Sequence, residues 1–239
     1  MTIPTNLLAR SAGVSYLILA VTGGFSELYV RSSVRVPGDA AATVANIAQN
    51  AILFRIGFGA DLVAFVAFLT VGLLMYFILK PVDERIALTM LMLNVVSIPI
   101  QSLNMLNQLR ALLVATDRAY TAGLTAETNH ALVLLLVDLQ RHGYLIAQIF
   151  FGLYLLPLGY LVYRSGFFPR VLGVLLMIGC FSLLAEVLAI YLSPGFESSL
   201  ASYLAIPSGL GELLFILWLL IMGAGRRGAR QSRVSAGAT

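Results

Sequence analysis

The residues of this chain that carry the most chemistry lie inside its most apolar stretches. Glu27, Arg55, Asp61, Asp138, Arg141, His142, Glu186 and Glu212 fall in or at the edge of long hydrophobic segments. A charge in hydrocarbon is costly, so such a side chain faces a partner or a watery cavity. Five of the eight are carboxylates, set against two arginines and one histidine. A pocket built from them is net acidic or partly protonated. That suits a cation, an amine or protons, and it equally suits acid–base work by paired carboxylates. Asp138 lies one helical turn from Arg141 and His142, so it can pair with the guanidinium or orient the imidazole.

Uncharged polar residues extend the pattern. Asn94, Ser97, Gln101, Asn104 and Gln108 follow a 3-4-3-4 spacing, which draws one polar stripe along an otherwise apolar helix. Such a stripe faces other helices or water, not lipid. Pro99 inside it is expected to kink the helix and free a backbone carbonyl. Gln148 shares a face with Gly152, and Gly152 with Gly159, where glycine permits close helix approach. The bland alternative is that these groups only hydrogen-bond helix to helix, each contributing roughly 0.6 kcal/mol. The residues collected as ligand-binding candidates are Glu27, Arg55, Asp61, Gln101, Asn104, Asp138, Arg141, His142, Gln148, Glu186 and Glu212.

Other chemistries find little support. The only histidines are His130 and His142, too few for a three-histidine zinc site. No P-loop and no Gly-x-Ser-x-Gly pattern occurs, so neither phosphate cradling nor a nucleophile elbow is indicated. The expectation is no metal and no cofactor, and the catalytic residues are left unassigned. The lone Cys180, inside an apolar run, reads as a buried thiol.

The elements that must position these residues are membrane helices. Of the 239 residues, 59% are hydrophobic and 11% charged, whereas soluble domains carry roughly 25% charge. A spanning helix needs roughly 20 mostly apolar residues. Six segments qualify, at about 8–29, 52–79, 86–109, 131–163, 171–191 and 205–222. The fold expected is an all-α polytopic bundle of six transmembrane helices in one domain, 1–225, with a basic tail, 226–239. The opening run reads as a first membrane helix and not as a cleaved signal. Asp39 is a good N-cap for a short surface helix between the first two spans. Thr125 is a start for a helix running into the fourth. Counted to Tyr163 that helix is about 58 Å long, so it projects from the membrane or breaks, most simply near Gly143.

Lysine and arginine set the orientation. Arg10, Lys80, Arg85, Arg164, Arg170 and the tail residues Arg226, Arg227, Arg230 and Arg233 fall on the side of both termini. Arg31, Arg35, Arg118 and Arg110 fall on the other. Both termini are therefore expected in the cytoplasm, and the charged candidates in the extracytoplasmic half. Tyr76, Tyr160, Tyr163 and Trp218 are then expected at the inner interface, with Tyr29, Tyr191 and Tyr203 at the outer one.

Several runs carry a resemblance. They are Leu8-Ala9-Arg10-Ser11-Ala12-Gly13, Phe54-Arg55-Ile56-Gly57, Leu79-Lys80-Pro81-Val82, Gly143-Tyr144-Leu145-Ile146-Ala147-Gln148 through Leu153, Leu156-Pro157-Leu158-Gly159-Tyr160 to Gly173, and Gly211-Glu212 with Leu217-Trp218. Together they are similar to a group of bacterial membrane proteins catalogued as domain of unknown function 4386, over about residues 8–222. The resemblance implies an integral protein of the bacterial plasma membrane and places Arg55, Gln148 and Glu212 in the family's recurring pattern. It implies no reaction.

Three functions compete on this evidence. The leading one is a small-molecule or ion binder, transporter-like or sensor-like, with its pocket in the extracytoplasmic half. The second is a membrane enzyme acting on a lipid or prenyl-type substrate, with a carboxylate or His142 as base. The third is an accessory subunit whose polar cluster only locks the helices, which predicts full internal pairing and no cavity. The partners expected are the lipid bilayer and a small-molecule or lipid ligand, with no nucleic acid.

Overall fold

The computed structural model describes residues 5–192 and 200–225. Among them the chain is helical with no strand. Backbone amides in hydrocarbon have no water to bond, and the α-helix satisfies them within one segment. Helix α1 runs over Thr5–Val34, followed by α2 (Ala40–Gln49), α3 (Ala51–Leu79), α4 (Glu84–Thr116), α5 (Ala126–Ser165), α6 (Arg170–Leu192) and α7 (Leu200–Ile221). All but α2 are long and apolar enough to cross a bilayer.

Local chemistry sets the helix ends. The Asp39 carboxylate accepts from the Ala42 amide at 2.8 Å and caps α2. Asp83 accepts from Ile86 at 3.1 Å to start α4. Thr125 accepts from Thr128 at 3.2 Å to start α5. Gly166, at φ 67°, lets the chain leave α5 through a left-handed turn that a side chain would strain. The helices outrun the apolar runs because capped polar turns continue the same winding. Helix α5 is unbroken for 40 residues, about 60 Å at 1.5 Å per residue. The break considered at Gly143 does not form. Gly143 remains helical, with the Asn104 amide packed where its side chain would be. Pro99 and Pro157 also lie inside continuous helices.

One stretch departs from α winding. Phe25–Arg31 in α1 is π-helical. Its i→i+5 bonding widens the turn and brings residues five apart nearly into line.

The chain divides into two compact units. One holds residues to Leu17, Phe68–Ser97 and those from Ile146 on; the other holds Ile18–Ala67 and Ile98–Leu145. Helices α1, α3, α4 and α5 contribute to both. In the first unit, small residues allow helix backbones to meet. A Cβ on Gly159 would stand 2.6 Å from the Gly173 carbonyl oxygen, and one on Gly13 would stand 2.9 Å from Leu219 Cβ. Asn94 packs over Gly72 and donates to the Phe68 carbonyl at 3.0 Å. Cys180 is buried. The second unit has its own core, formed by Val30, Val34, Ile47, Phe54, Ala111, Leu112, Val133 and Leu136.

The outward faces are apolar. Leu28, Ile52, Val66, Phe181, Leu188 and Leu192 are each more than half exposed. Large apolar surfaces of this kind are rare on soluble monomers and are what lipid solvates. The protein is a multi-pass membrane protein. The tail arginines Arg226, Arg227, Arg230 and Arg233, and the turn at Pro194 and Gly195, lie outside the described residues.

Candidate functional site

Asp61 is buried in the second unit, only 5% exposed. Helix α3 carries it inward, and α1 supplies its partners. The Ser26 hydroxyl lies 2.7 Å from Asp61 Oδ2. Arg31 Nη2 donates to the same oxygen at 2.5 Å, while its Nη1 meets Glu27 Oε2 at 2.9 Å. Ser26 and Arg31 are five residues apart, which on an α-helix turns them to different faces. The π winding of Phe25–Arg31 lets both reach one carboxylate. Close approach is secured by Gly57, whose missing side chain leaves room for Val30.

The second ion pair closes from a loop. Past Val34 the chain is extended at Arg35, whose Nε and Nη2 both donate to Asp138 Oδ1, at 3.1 and 2.9 Å. Asp138 is thus held by an arginine that reads in the sequence as a loop charge. Of the five carboxylates that suggested an acidic pocket, Glu27, Asp61 and Asp138 are engaged by Arg31 and Arg35.

Between these pairs lies a cavity of about 50 Å³. Its polar lining is Glu27, Arg31, Arg35, Gln108, Gln140 and Arg141. Gln140 gives its backbone carbonyl to the Asn104 amide at 2.7 Å, which fixes α4 against α5. Gln108 is 2% exposed, and among the described residues neither atom of its side-chain amide has a hydrogen-bond partner. Arg31 Nε is also buried without one. Gln108 and Phe54 line a second, larger recess of about 230 Å³ as well, whose other walls are Arg55, Phe58, Leu109 and Leu112. The polar stripe on α4 is buried throughout, as its spacing predicts.

The first unit holds a separate group. The Tyr16 hydroxyl donates to Glu212 Oε2 at 2.6 Å, and Ser208 donates to Oε1 at 2.8 Å. Gln148 Nε2 donates to Glu186 Oε2 at 2.7 Å. Tyr154 is buried with its hydroxyl unpartnered among the described residues. The cavities just described contain none of these groups.

The eleven candidates therefore fall into two sets. Glu27, Arg55, Asp61, Gln101, Asn104, Asp138, Arg141 and His142 belong to the second unit, and Gln148, Glu186 and Glu212 to the first. Of the second-unit set, Glu27 and Arg141 line the polar cavity and Arg55 lines the recess. Asp61 and Asp138 act one step back, through their arginines. Gln101 and Asn104 are buried, and His142 is half-buried. Arg31, Arg35 and Gln140 are absent from that set. Gln108 stands in the stripe without having been singled out. Arg31 could have been found only by allowing for a π turn. Among the described residues, no three His, Cys, Asp or Glu side chains gather as metal ligands would.

Comparison with known proteins gives relatives without an assigned activity. The chain is 30% identical over 154 residues to an uncharacterized protein of Archaeoglobus fulgidus, covering 64% of this chain and 75% of that one. No solved structure matches. A family model matches residues 11–223, nearly all of the helical region. The chain belongs to that family, described as Domain of unknown function (DUF4386).

Proposed function

We infer that this membrane protein is a binding protein for a small polar ligand, transporter-like or sensor-like, with its site at the cavity lined by Glu27, Arg31, Arg35, Gln108, Gln140 and Arg141. One observation carries the reading: the Gln108 amide is buried at that cavity with both atoms unpartnered among the described residues. Leaving one buried polar group unsatisfied costs about 1–3 kcal/mol, a cost that a ligand group reaching the amide from the cavity wall would relieve. A polar cluster that merely locks helices would be closed on itself and would leave no such gap. Arg55, Asp61, Gln101, Asn104, Asp138 and His142 support this site from the same unit. Gln148, Glu186 and Glu212 form a second polar group whose role in binding is a separate proposal. With the Lys and Arg bias of the sequence, the site faces the extracytoplasmic half of a bacterial plasma membrane.

The test is thermal unfolding of the purified protein against a library of small acids, amines, inorganic ions and polyols. At a hundredfold excess over Kd, a ligand stabilises by about 2.7 kcal/mol. A stabilising compound is expected for the wild type. The same compound should have no effect on Gln108→Leu, whose own stability is equal or higher because an unsatisfied amide has gone. If no compound acts, or if Gln108→Leu responds as the wild type does, the cavity is not a ligand site.

A further inference from the structure

The side chains that line the cavity differ from what the carboxylate count suggests. Three arginines line it, Arg31, Arg35 and Arg141, against one carboxylate, Glu27. Asp61 and Asp138 hold Arg31 and Arg35 but do not line it. Among the described residues, the buried polar atoms of these lining side chains that lack a partner are also mostly donors. Arg31 Nε offers one N–H, and the Gln108 amide offers two N–H groups and one acceptor oxygen. An oxyanion head accepts from such donors, and guanidinium is the side chain best shaped for it. A hydroxyl on that head would satisfy the Gln108 oxygen. Each water needs about 10–15 Å³ of such space, so the cavity has room for only a few, the scale of a single head group.

The cavity does not stand alone. Gln108 and Phe54 are also walls of the 230 Å³ recess, whose remaining lining is Phe58, Leu109, Leu112 and Arg55. A chamber with three arginines on its walls and a recess with one share two residues within one unit. The geometry points to an amphiphile with a phosphate or carboxylate head: the head sits against Arg31, Arg35, Arg141 and Gln108, and the hydrocarbon tail lies along Phe54, Phe58, Leu109 and Leu112. This assignment rests on the cavity being a ligand site and names the class of ligand. Arg55 lies on the wall of the recess and does not line the smaller cavity. Two sources share this chemistry, an anionic lipid of the bilayer and a free single-chain amphiphile.

The probe is dodecyl phosphate, titrated by calorimetry into the full chain reconstituted in phosphatidylcholine nanodiscs. The controls are inorganic phosphate, dodecanol and dodecyltrimethylammonium. The expected result is saturable binding of dodecyl phosphate at least tenfold tighter than any control. Gln108→Leu, which acts at the head, and Leu109→Trp, which fills the recess, should each weaken it at least tenfold. If dioleoylphosphatidic acid in the nanodisc competes, a bilayer lipid is the source; if it does not, a free amphiphile is, and the shared chemistry stands either way. Inorganic phosphate binding as tightly would overturn the tail, and with it the proposal. So would equal binding of the neutral or cationic chain. If no chain-bearing anion binds while another compound stabilises the wild type and not Gln108→Leu, the amphiphile is wrong and the binding site survives. If nothing binds at all, both readings fall.

Discussion

At the scale of single residues, burial separates two ion pairs of the same chemical type. Arg31 and Asp61 have side chains 14% and 7% exposed, while Arg35 and Asp138 are 26% and 37% exposed. Removing one member of a buried pair strands the other in low dielectric and costs about 3–5 kcal/mol. A pair open to water contributes about 0–1 kcal/mol. Asp61→Ala should therefore destabilise the protein several-fold more than Asp138→Ala, measured by denaturant or thermal unfolding in detergent. Equal losses would mean that Asp61 is wetter than its surroundings indicate. Asp61 as a buried acid was legible in the sequence, since it lies well inside an apolar run. Its partners were not, because Arg31 and Ser26 flank that run's neighbour at a spacing that α periodicity assigns to different faces.

At the scale of elements, the helices themselves were readable and their contacts only partly so. Apolar length and end caps determine that six long helices form, and Asp39 and Thr125 cap as their types require. The π segment at Phe25–Arg31 has no comparable signal, because its winding is chosen by what Ser26 and Arg31 meet across the interface. The glycines divide in the same way. A Cβ on Gly159 meets the backbone of α6 at 2.6 Å, and 2.9 Å at the Met177 nitrogen, whereas one on Gly59 meets nothing within 4 Å. Backbone cannot move aside as a side-chain tip can. Gly159→Ala is expected to destabilise by about 1–3 kcal/mol, as overpacking does. Gly59→Ala should be neutral or gain about 0.4–1 kcal/mol, from the lower entropy of the unfolded chain. Unfolding of the two variants side by side decides it, and a destabilised Gly59→Ala would contradict the open space beside that position.

At the scale of the whole molecule, orientation remains a matter of charge asymmetry, and it makes a direct prediction. The native thiol, Cys180, is buried and should be silent to an impermeant maleimide. Glu84 and Ala119 lie at exposed connections at opposite ends of α4. With both termini in the cytoplasm, Ala119→Cys should label in intact cells and Glu84→Cys only after lysis. The opposite pattern would invert the topology and place the cavity on the other side. What the sequence determined by itself was everything that depends on composition along one helix: six membrane spans, their caps, the buried stripe from Asn94 to Gln108, and the family. Tertiary structure alone decided which charges meet. It drew Arg31 and Arg35 onto Glu27, Asp61 and Asp138 and divided the eleven candidates between two units. It also left the buried Gln108 amide without a partner, among the described residues, on the wall of an arginine-lined cavity. The physical reason is range. Apolar length and helical spacing act between residues a few positions apart. A side chain's partner across a helix interface depends on winding, close approach and desolvation that no one-dimensional pattern contains.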